Sequence, residues 1–202
     1  MSGAAEDWSG ARIGVLGGTF DPPHAAHVRM AAVARDTLAL DRVFFSPAPH
    51  PPHKQGEAVT RWEHRRGMVA AAILGEGRMA LTDIERTHQP SYTVDLVRAA
   101  VSRTAADLYF IAGADSLANF ASWRDPQEIL RLCTLVVFPR DDRVPRLTVT
   151  GPAALVVFGA PRLDVSSTGV RAALEAGELP GDDVLPPAVA GYIARNHLYR
   201  RS

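Results

Sequence analysis

The chain repeats one alternation from near its start to near its end: a short apolar run, then a stretch with helical spacing. The runs are residues 13–16 (IGVL), 43–46 (VFFS), 78–83, 108–112 (LYFIA), 135–138 and 155–158. Helices are predicted over 27–40, from 60 to about 74, over 93–101, from 125 to about 132, from 168 to 176 and over 187–196. Strands this short and this apolar have no wettable face, so each must be covered on both sides. Parallel strands need crossover helices, and those helices provide the cover. The class that satisfies both demands is α/β: a doubly wound, mostly parallel sheet with helices on both faces. In such sheets ligands lie beyond the carboxyl ends of the strands, where strand order reverses. The loops to search are therefore 17–24, 46–54, 113–115, 139–142 and the approach to Ser166.

At 202 residues the length fits one domain with elaborations. Residues 1–10, MSGAAEDWSG, read as a flexible extension before a single domain over 11–202. With 22 basic against 22 acidic residues and 47% hydrophobic content, the chain is neither a disordered tail nor a wholesale binder of polyanions such as nucleic acid. An anionic ligand must meet a local patch. The one cysteine, Cys133, precedes an apolar run and reads as a core residue, which removes an intramolecular disulfide and an all-cysteine zinc site. No apolar stretch approaches the ~18 residues of a membrane span, and the start of the chain carries acids rather than the basic segment of a secretory leader. A soluble cytoplasmic protein without a membrane partner is expected. A homo-oligomer is compatible with this reading.

The loop after the first strand reads GGTFDPPHAAH over 17–27. It is neither a P-loop nor a dinucleotide fingerprint. The one G-x-G-x-x-G/A match, at 75–80, leaves a helix and enters a strand, the wrong order for a phosphate cradle. What the loop offers is a glycine pair, Gly17-Gly18, that lets main chain approach a ligand. It also offers His24 and His27 at a helix start, where free N–H groups and the dipole attract anions. The same two histidines serve equally as a helix cap and a packing residue. A metal pair is disfavoured, because no third ligand lies nearby at metal-site spacing. Lys54, on a loop stiffened by Pro51-Pro52, adds a cation. Ser166-Ser167-Thr168, with Arg171 one turn further on, adds hydroxyls, helix-start N–H groups and a guanidinium. Helix capping accounts for those hydroxyls as well.

These pieces stand in one order, together with Pro90-Ser91-Tyr92-Thr93 and Gly113-Ala114-Asp115-Ser116 followed by Trp123. In that order, over residues 12–200, the sequence resembles the HxGH-type nucleotidyltransferase superfamily, and within it the bacterial nicotinate-nucleotide adenylyltransferases. The resemblance implies a Rossmann-like nucleotidyltransferase fold and a reaction in NAD biosynthesis. AMP would pass from ATP to nicotinic acid mononucleotide by direct in-line attack, giving deamido-NAD and pyrophosphate. It implies Mg²⁺ carried in with ATP, and no metal site built by the protein.

The site residues carried over by resemblance fall into three groups. His24, His27, Lys54 and Arg171 take the catalytic positions. Gly17, Gly18, Phe20, Gly113, Asp115, Arg140, Ser167 and Thr168 take the ATP contacts, with Asp115 holding a ribose. Thr19, Tyr92, Thr93 and Trp123 take the mononucleotide, Trp123 stacking on the pyridine ring and the Tyr92-Thr93 amides receiving its carboxylate. Two departures stand out: Ala26 replaces the motif glycine, and Phe138-Pro139-Arg140-Asp141-Asp142 replaces an Arg-Pro-Gly turn. Pantetheine-phosphate adenylyltransferase shares the first motif and the Ser-Ser-Thr helix start, but lacks the segments around Tyr92 and Trp123. A nucleotide sensor that binds without turnover has no need to keep His24, His27 and Lys54 together.

Overall fold

A computed structural model describes residues 6–54, 56–113, 120–138, 154–156 (main chain) and 165–200. The described strands are β1 (Arg12–Gly18), β2 (Arg42–Pro47), β3 (Met79–Leu81), β4 (Asp107–Gly113), β5 (Thr134–Phe138) and β6 (Ala154–Val156). They form one sheet in the order β3-β2-β1-β4-β5-β6, and every neighbouring pair is parallel. The described α-helices are α1 (Ala25–Thr37), α2 (Trp62–Ala72), α3 (Thr93–Val101), α4 (Pro126–Leu132), α5 (Ser167–Glu175) and α6 (Pro187–Arg195). Strand order runs outward from β1 through β2 to β3, then restarts beside β1 with β4. That reversal opens a crevice at the carboxyl ends of β1 and β4.

Because side chains alternate along a strand, β1 to β5 feed two separate cores. Ile13 and Val15 of β1, Leu108, Phe110 and Ala112 of β4, and Leu135 and Val137 of β5 meet Val94, Leu96 and Val97 of α3 and Ile129 of α4. The opposite face, including Leu16, Val43, Phe45, Ile111, Val136 and Phe138, is covered by Ala31 and Ala34 of α1 and Val69 and Ile73 at α2. The expected cover on both faces is present. Each of these large side chains contributes roughly 1.5–3 kcal/mol by leaving water.

A third cluster packs α5 and α6 onto the far side of α2 through Met68, Val170, Leu185, Val189 and Ile193. At Gly67 a Cβ would run into the Tyr192 phenol, so only glycine lets α2 and α6 approach this closely. This cluster brings residues 165–199 back to the crevice.

Three local expectations are corrected. Residues 6–8, assigned to a flexible extension, are packed: Trp8 is buried and stacks on Phe44 with ring centroids 3.9 Å apart. The Glu6 carboxylate accepts from Thr82 Oγ1 at 2.6 Å, from the Asp83 N–H at 3.0 Å and from Trp8 Nε1 at 3.0 Å. An indole gains too much by covering an aromatic face to stay in solvent. Thr60-Arg61-Trp62-Glu63 has the spacing of a capping box at the predicted helix start, but the box does not form. Arg61 is the N-cap of α2, and the Thr60 N–H donates instead to Asp21 Oδ2 at 3.2 Å. Asp125 does occupy the N-cap of α4 but makes no side-chain cap; its left-handed backbone (φ 47°) accompanies a carboxylate 3.6 Å from Arg98. Residues 157–158 of the sixth predicted run lie outside the described residues.

Candidate active site

A cleft of about 860 Å³ opens at the crevice, walled by the ends of β1, β4 and β5, the loop between β1 and α1, the 51–59 segment and the starts of α3 and α5. Its size suits a nucleotide-sized ligand. His24, His27, Lys54 and Arg171 all line it, with Gly17, Gly18, Thr19, Phe20, Tyr92, Thr93, Gly113, Trp123, Ser167 and Thr168. Sixteen residues were expected at the site, and fourteen of them are thus brought to one cavity. The other two, Asp115 and Arg140, lie outside the described residues.

His24 is the N-cap of α1 in extended backbone, and its main-chain N–H donates to His27 Nδ1 at 3.1 Å. The two rings lie 3.8 Å apart at 31°. Burial, then the neighbouring His24, hold His27 well below the usual imidazole range. A neutral imidazole whose Nδ1 accepts carries its proton on Nε2, so His27 is a hydrogen-bond donor without being a cation. The alternative of capping and packing is therefore not exclusive: His24 caps, His27 is half-buried, and both face the cleft. Phe20 turns through left-handed backbone (φ 52°) to bury its ring edge-on against His27 at 5.0 Å. Its ring supports the imidazole, and what it can offer a ligand is main chain. A Cβ at Gly18 would press that ring at 3.0 Å, and one at Gly17 would press Leu96 and Phe110 at 3.2 Å.

The start of α5 is fastened to the same loop. Ser166 Oγ accepts from the Gly169 N–H at 3.1 Å, the cap foreseen from sequence. Ser167 Oγ donates to the Pro22 carbonyl at 2.9 Å. Arg171 Nη1 donates to the Asp21 carbonyl at 2.6 Å and Nη2 to Thr168 Oγ1 at 3.4 Å. A guanidinium has five N–H donors, so these bonds aim Arg171 without exhausting it.

Lys54 ends a 3₁₀ turn, Pro52–Lys54, and its ammonium is held by Glu57 at 2.6 Å. Both side chains are partly open to water, which keeps such a pair weak enough for a triphosphate to break. At the opposite end of the cleft Tyr92 is the N-cap of α3, and no side chain caps that helix. Trp123 stands edge-on to Phe110 at 6.4 Å and tilts on Phe120 at 5.2 Å, so it packs on the core while lining the cleft. Thr19 Oγ1 is buried, with no hydrogen-bond partner among the described residues.

Four residues that sequence reading passed over complete the site. Arg65, 1% exposed, donates from Nε to the Thr60 carbonyl at 2.8 Å, from Nη1 to Thr19 at 2.7 Å and from Nη2 to Pro49 at 3.2 Å. It ties the loop after β1 to two points of the connection between β2 and α2. Its signal was present: Arg65 falls on the buried stripe of α2 with Met68, Val69 and Ala72. Asp21 is buried; Oδ1 accepts from the Tyr199 hydroxyl at 2.5 Å and Oδ2 from Thr60. Burial, then that bond to Asp21, push the Tyr199 phenol far up. Glu85 accepts from Ser46 Oγ at 2.6 Å beneath the cleft, and burial pushes its carboxyl up to about 7. Tyr199 and Glu85 gave no local signal.

The profile of the cytidylyltransferase-like family matches residues 15–173. A curated relative from Chromobacterium violaceum, named "Probable nicotinate-nucleotide adenylyltransferase", is 39% identical over 211 residues, covering 94% of this chain and 99% of its own. One of the same name from Bacillus pumilus is 37% identical over 190 residues, covering 93% and 98%. Among solved structures, Plasmodium falciparum nicotinic acid mononucleotide adenylyltransferase complexed with NaAD superposes with a TM-score of 0.76 over 94% of this chain and 98% of that one. At 19% identity that likeness speaks for the fold.

Proposed function

The chain belongs to the cytidylyltransferase-like family and, within it, to the nicotinate-nucleotide adenylyltransferases, and from that premise we propose how its own residues carry the reaction. AMP is transferred from ATP to nicotinic acid mononucleotide, with pyrophosphate leaving. The observation that carries the assignment of residues is the convergence at one switch-point cleft of His24 and His27 from the front of the chain with Arg171 from its rear. Arg171 is bonded to Asp21 across 150 residues of sequence.

In this reading a 5′-phosphate oxygen of the mononucleotide attacks the α-phosphorus in line with departing pyrophosphate. One P–O bond forms and one breaks, and no protein nucleophile takes part. Two anions must meet, so the protein's work is positioning and charge neutralisation. His27 contributes Nε2–H as a neutral donor, and His24 stands at the α1 N-terminus beside it. Arg171 and the start of α5 take the leaving phosphates, and Lys54 exchanges Glu57 for the triphosphate. At the other end, Trp123 stacks on the ring and the open start of α3 receives its carboxylate. In the same reading the protein works in the cytoplasm; no described helix is long and apolar enough to cross a membrane.

ATP enters as its Mg²⁺ complex. The donors facing the cleft are mostly imidazoles, hydroxyls, N–H groups and cations. Among the described residues its carboxylates are engaged: Asp21 with Tyr199 and Thr60, Glu57 with Lys54, Glu85 with Ser46. That set fits an ion that keeps water and phosphate oxygens as ligands rather than one caged by the protein. When bound, the ion neutralises phosphate charge as pyrophosphate departs.

The test follows pyrophosphate from purified protein with MgATP and either nicotinic acid mononucleotide, nicotinamide mononucleotide or phosphopantetheine. Release that requires a pyridine mononucleotide is expected. Release with phosphopantetheine alone, or with none of the three, overturns the reading.

A further inference from the structure

The ring end of the cleft holds a cation with no assigned work. Arg124 directly follows Trp123 and lines the cleft beside Tyr92 and Thr93. Its guanidinium lies over the Tyr92 ring, 4.9 Å from the centroid. Its neighbours are neutralised: Arg98 faces Asp95 at 3.4 Å and Asp125 at 3.6 Å, and Arg131 faces Glu128 at 2.8 Å. Among the described residues Arg124 has no carboxylate within ion-pair distance. Its place over the Tyr92 ring holds the guanidinium at the cleft wall and leaves N–H groups to reach a ligand.

Tyr92 is also where α3 begins. Asp95 and Leu96 donate to the Tyr92 carbonyl and no side chain caps the helix; the Tyr92 N–H, expected to receive a carboxylate, is instead taken by the Pro90 carbonyl at 3.1 Å, which leaves the Thr93 and Val94 amides for the cleft. A guanidinium therefore stands at the entrance of an uncapped nine-residue helix, with the Trp123 indole lining the same cleft. The guanidinium and the main-chain N–H groups of this corner can only donate, and the Tyr92 and Thr93 hydroxyls beside them can donate as well. A carboxylate satisfies such a set with two acceptor oxygens and a full charge. A carboxamide of the same size brings one acceptor and turns an NH₂ donor toward donors, the mismatch by which a polar site rejects a near-isostere.

We propose that Arg124 is a specificity-determining residue of the mononucleotide site, selecting a pyridine ring that carries a carboxylate over one that carries a carboxamide. The proposal rests on the mononucleotide reading of the cleft given above.

The experiment measures kcat/KM of wild type, Arg124→Gln and Arg124→Lys with nicotinic acid and nicotinamide mononucleotides at saturating MgATP, with the melting temperature as a control for folding. The ratio of acid to amide efficiency is expected to fall on the order of 10- to 100-fold in Arg124→Gln, the worth of one charged hydrogen bond, and mostly through KM for the acid. Arg124→Lys recovers part of the ratio, because it restores the charge without the fork. An unchanged ratio, or equal losses with both substrates, overturns the proposal. Wild-type protein inactive with both mononucleotides overturns the underlying reading along with it, and is told apart because no variant is needed to see it.

Discussion

The two ends of the cleft are built differently. Around the histidines, side chains from distant parts of the chain are locked together by partly buried hydrogen bonds. Asp21 holds Tyr199 and Thr60, Arg65 spans three carbonyls, and Arg171 closes on the Asp21 main chain. Around Tyr92 and Trp123 the same cleft is walled by aromatic faces, an open helix start and an exposed arginine. The first arrangement fixes positions to fractions of an ångström, which in-line transfer between two anions demands. The second distinguishes ligands by charge and face, which needs correct chemistry more than rigid placement. Substitutions at the phosphate end should therefore lower kcat, and those at the ring end should alter KM and selectivity.

The largest effect that can break this contrast is at His27. His27→Ala removes a neutral Nε2–H donor, and kcat for pyrophosphate release should fall on the order of 10²–10³-fold with KM for the mononucleotide little changed. A change confined to KM would place His27 in ground-state binding and erase the distinction between the ends.

Glu85 asks whether the floor of the cleft is rigid as well. Its carboxyl titrates near 7 rather than at the ordinary 4.5, because it is buried. The folded protein therefore holds this proton to higher pH than the unfolded chain does, so the group costs stability as pH rises through the window from about 4.5 to about 7. Glu85→Gln should flatten the fall in melting temperature across that window and leave the variant more stable than wild type at pH 8, by up to about 3 kcal/mol. Parallel melting curves for the two proteins from pH 5 to pH 8 would sink the assignment.

Tyr199→Phe tests the lock directly. It strips a buried carboxylate of one donor, a loss of roughly 1–3 kcal/mol. At this chain length that lowers the melting temperature by about 2–4 °C per kcal/mol. Because Asp21 also carries Arg171, kcat should drop with it. A variant that melts lower but turns over normally would show that the lock supports folding alone.

The contrast also explains what sequence could disclose. The sheet was legible because the centres of its strands are apolar and β1 and β4 close on a glycine, and the bounds of α3, 93 and 101, follow from its apolar stripe. The phosphate end was legible where its residues lie close together, as in GGTFDPPHAAH, or start a helix, as Ser166-Ser167-Thr168 does. The lock was not, because Asp21 and Tyr199 are 178 residues apart and a lone tyrosine near a chain end has no pattern. Trp8 misled for a related reason: one aromatic among polar residues has no periodicity, and its partner Phe44 lies on a strand that only folding brings near. Arg65 shows the opposite failure, since its position on an apolar helical stripe marked it as buried although its charge argued for solvent.

The smallest effect sharpens the contrast at its one soft point on the phosphate side. Lys54 belongs by position to the rigid end, yet its ammonium is held by Glu57 across an ion pair whose side chains are 31% and 55% exposed. An exposed pair of this kind is worth about 0.2–1 kcal/mol, and ATP must displace it before using the lysine. Glu57→Gln removes that competitor, so KM for ATP should fall, by fivefold at most, with kcat unaltered. Raising the salt concentration should narrow the gap between variant and wild type, because screening weakens the wild-type pair first. A KM that rises instead would mean that Glu57 aims Lys54 at the triphosphate. The soft point would then be part of the rigid end, held by a carboxylate just as Asp21 holds Tyr199.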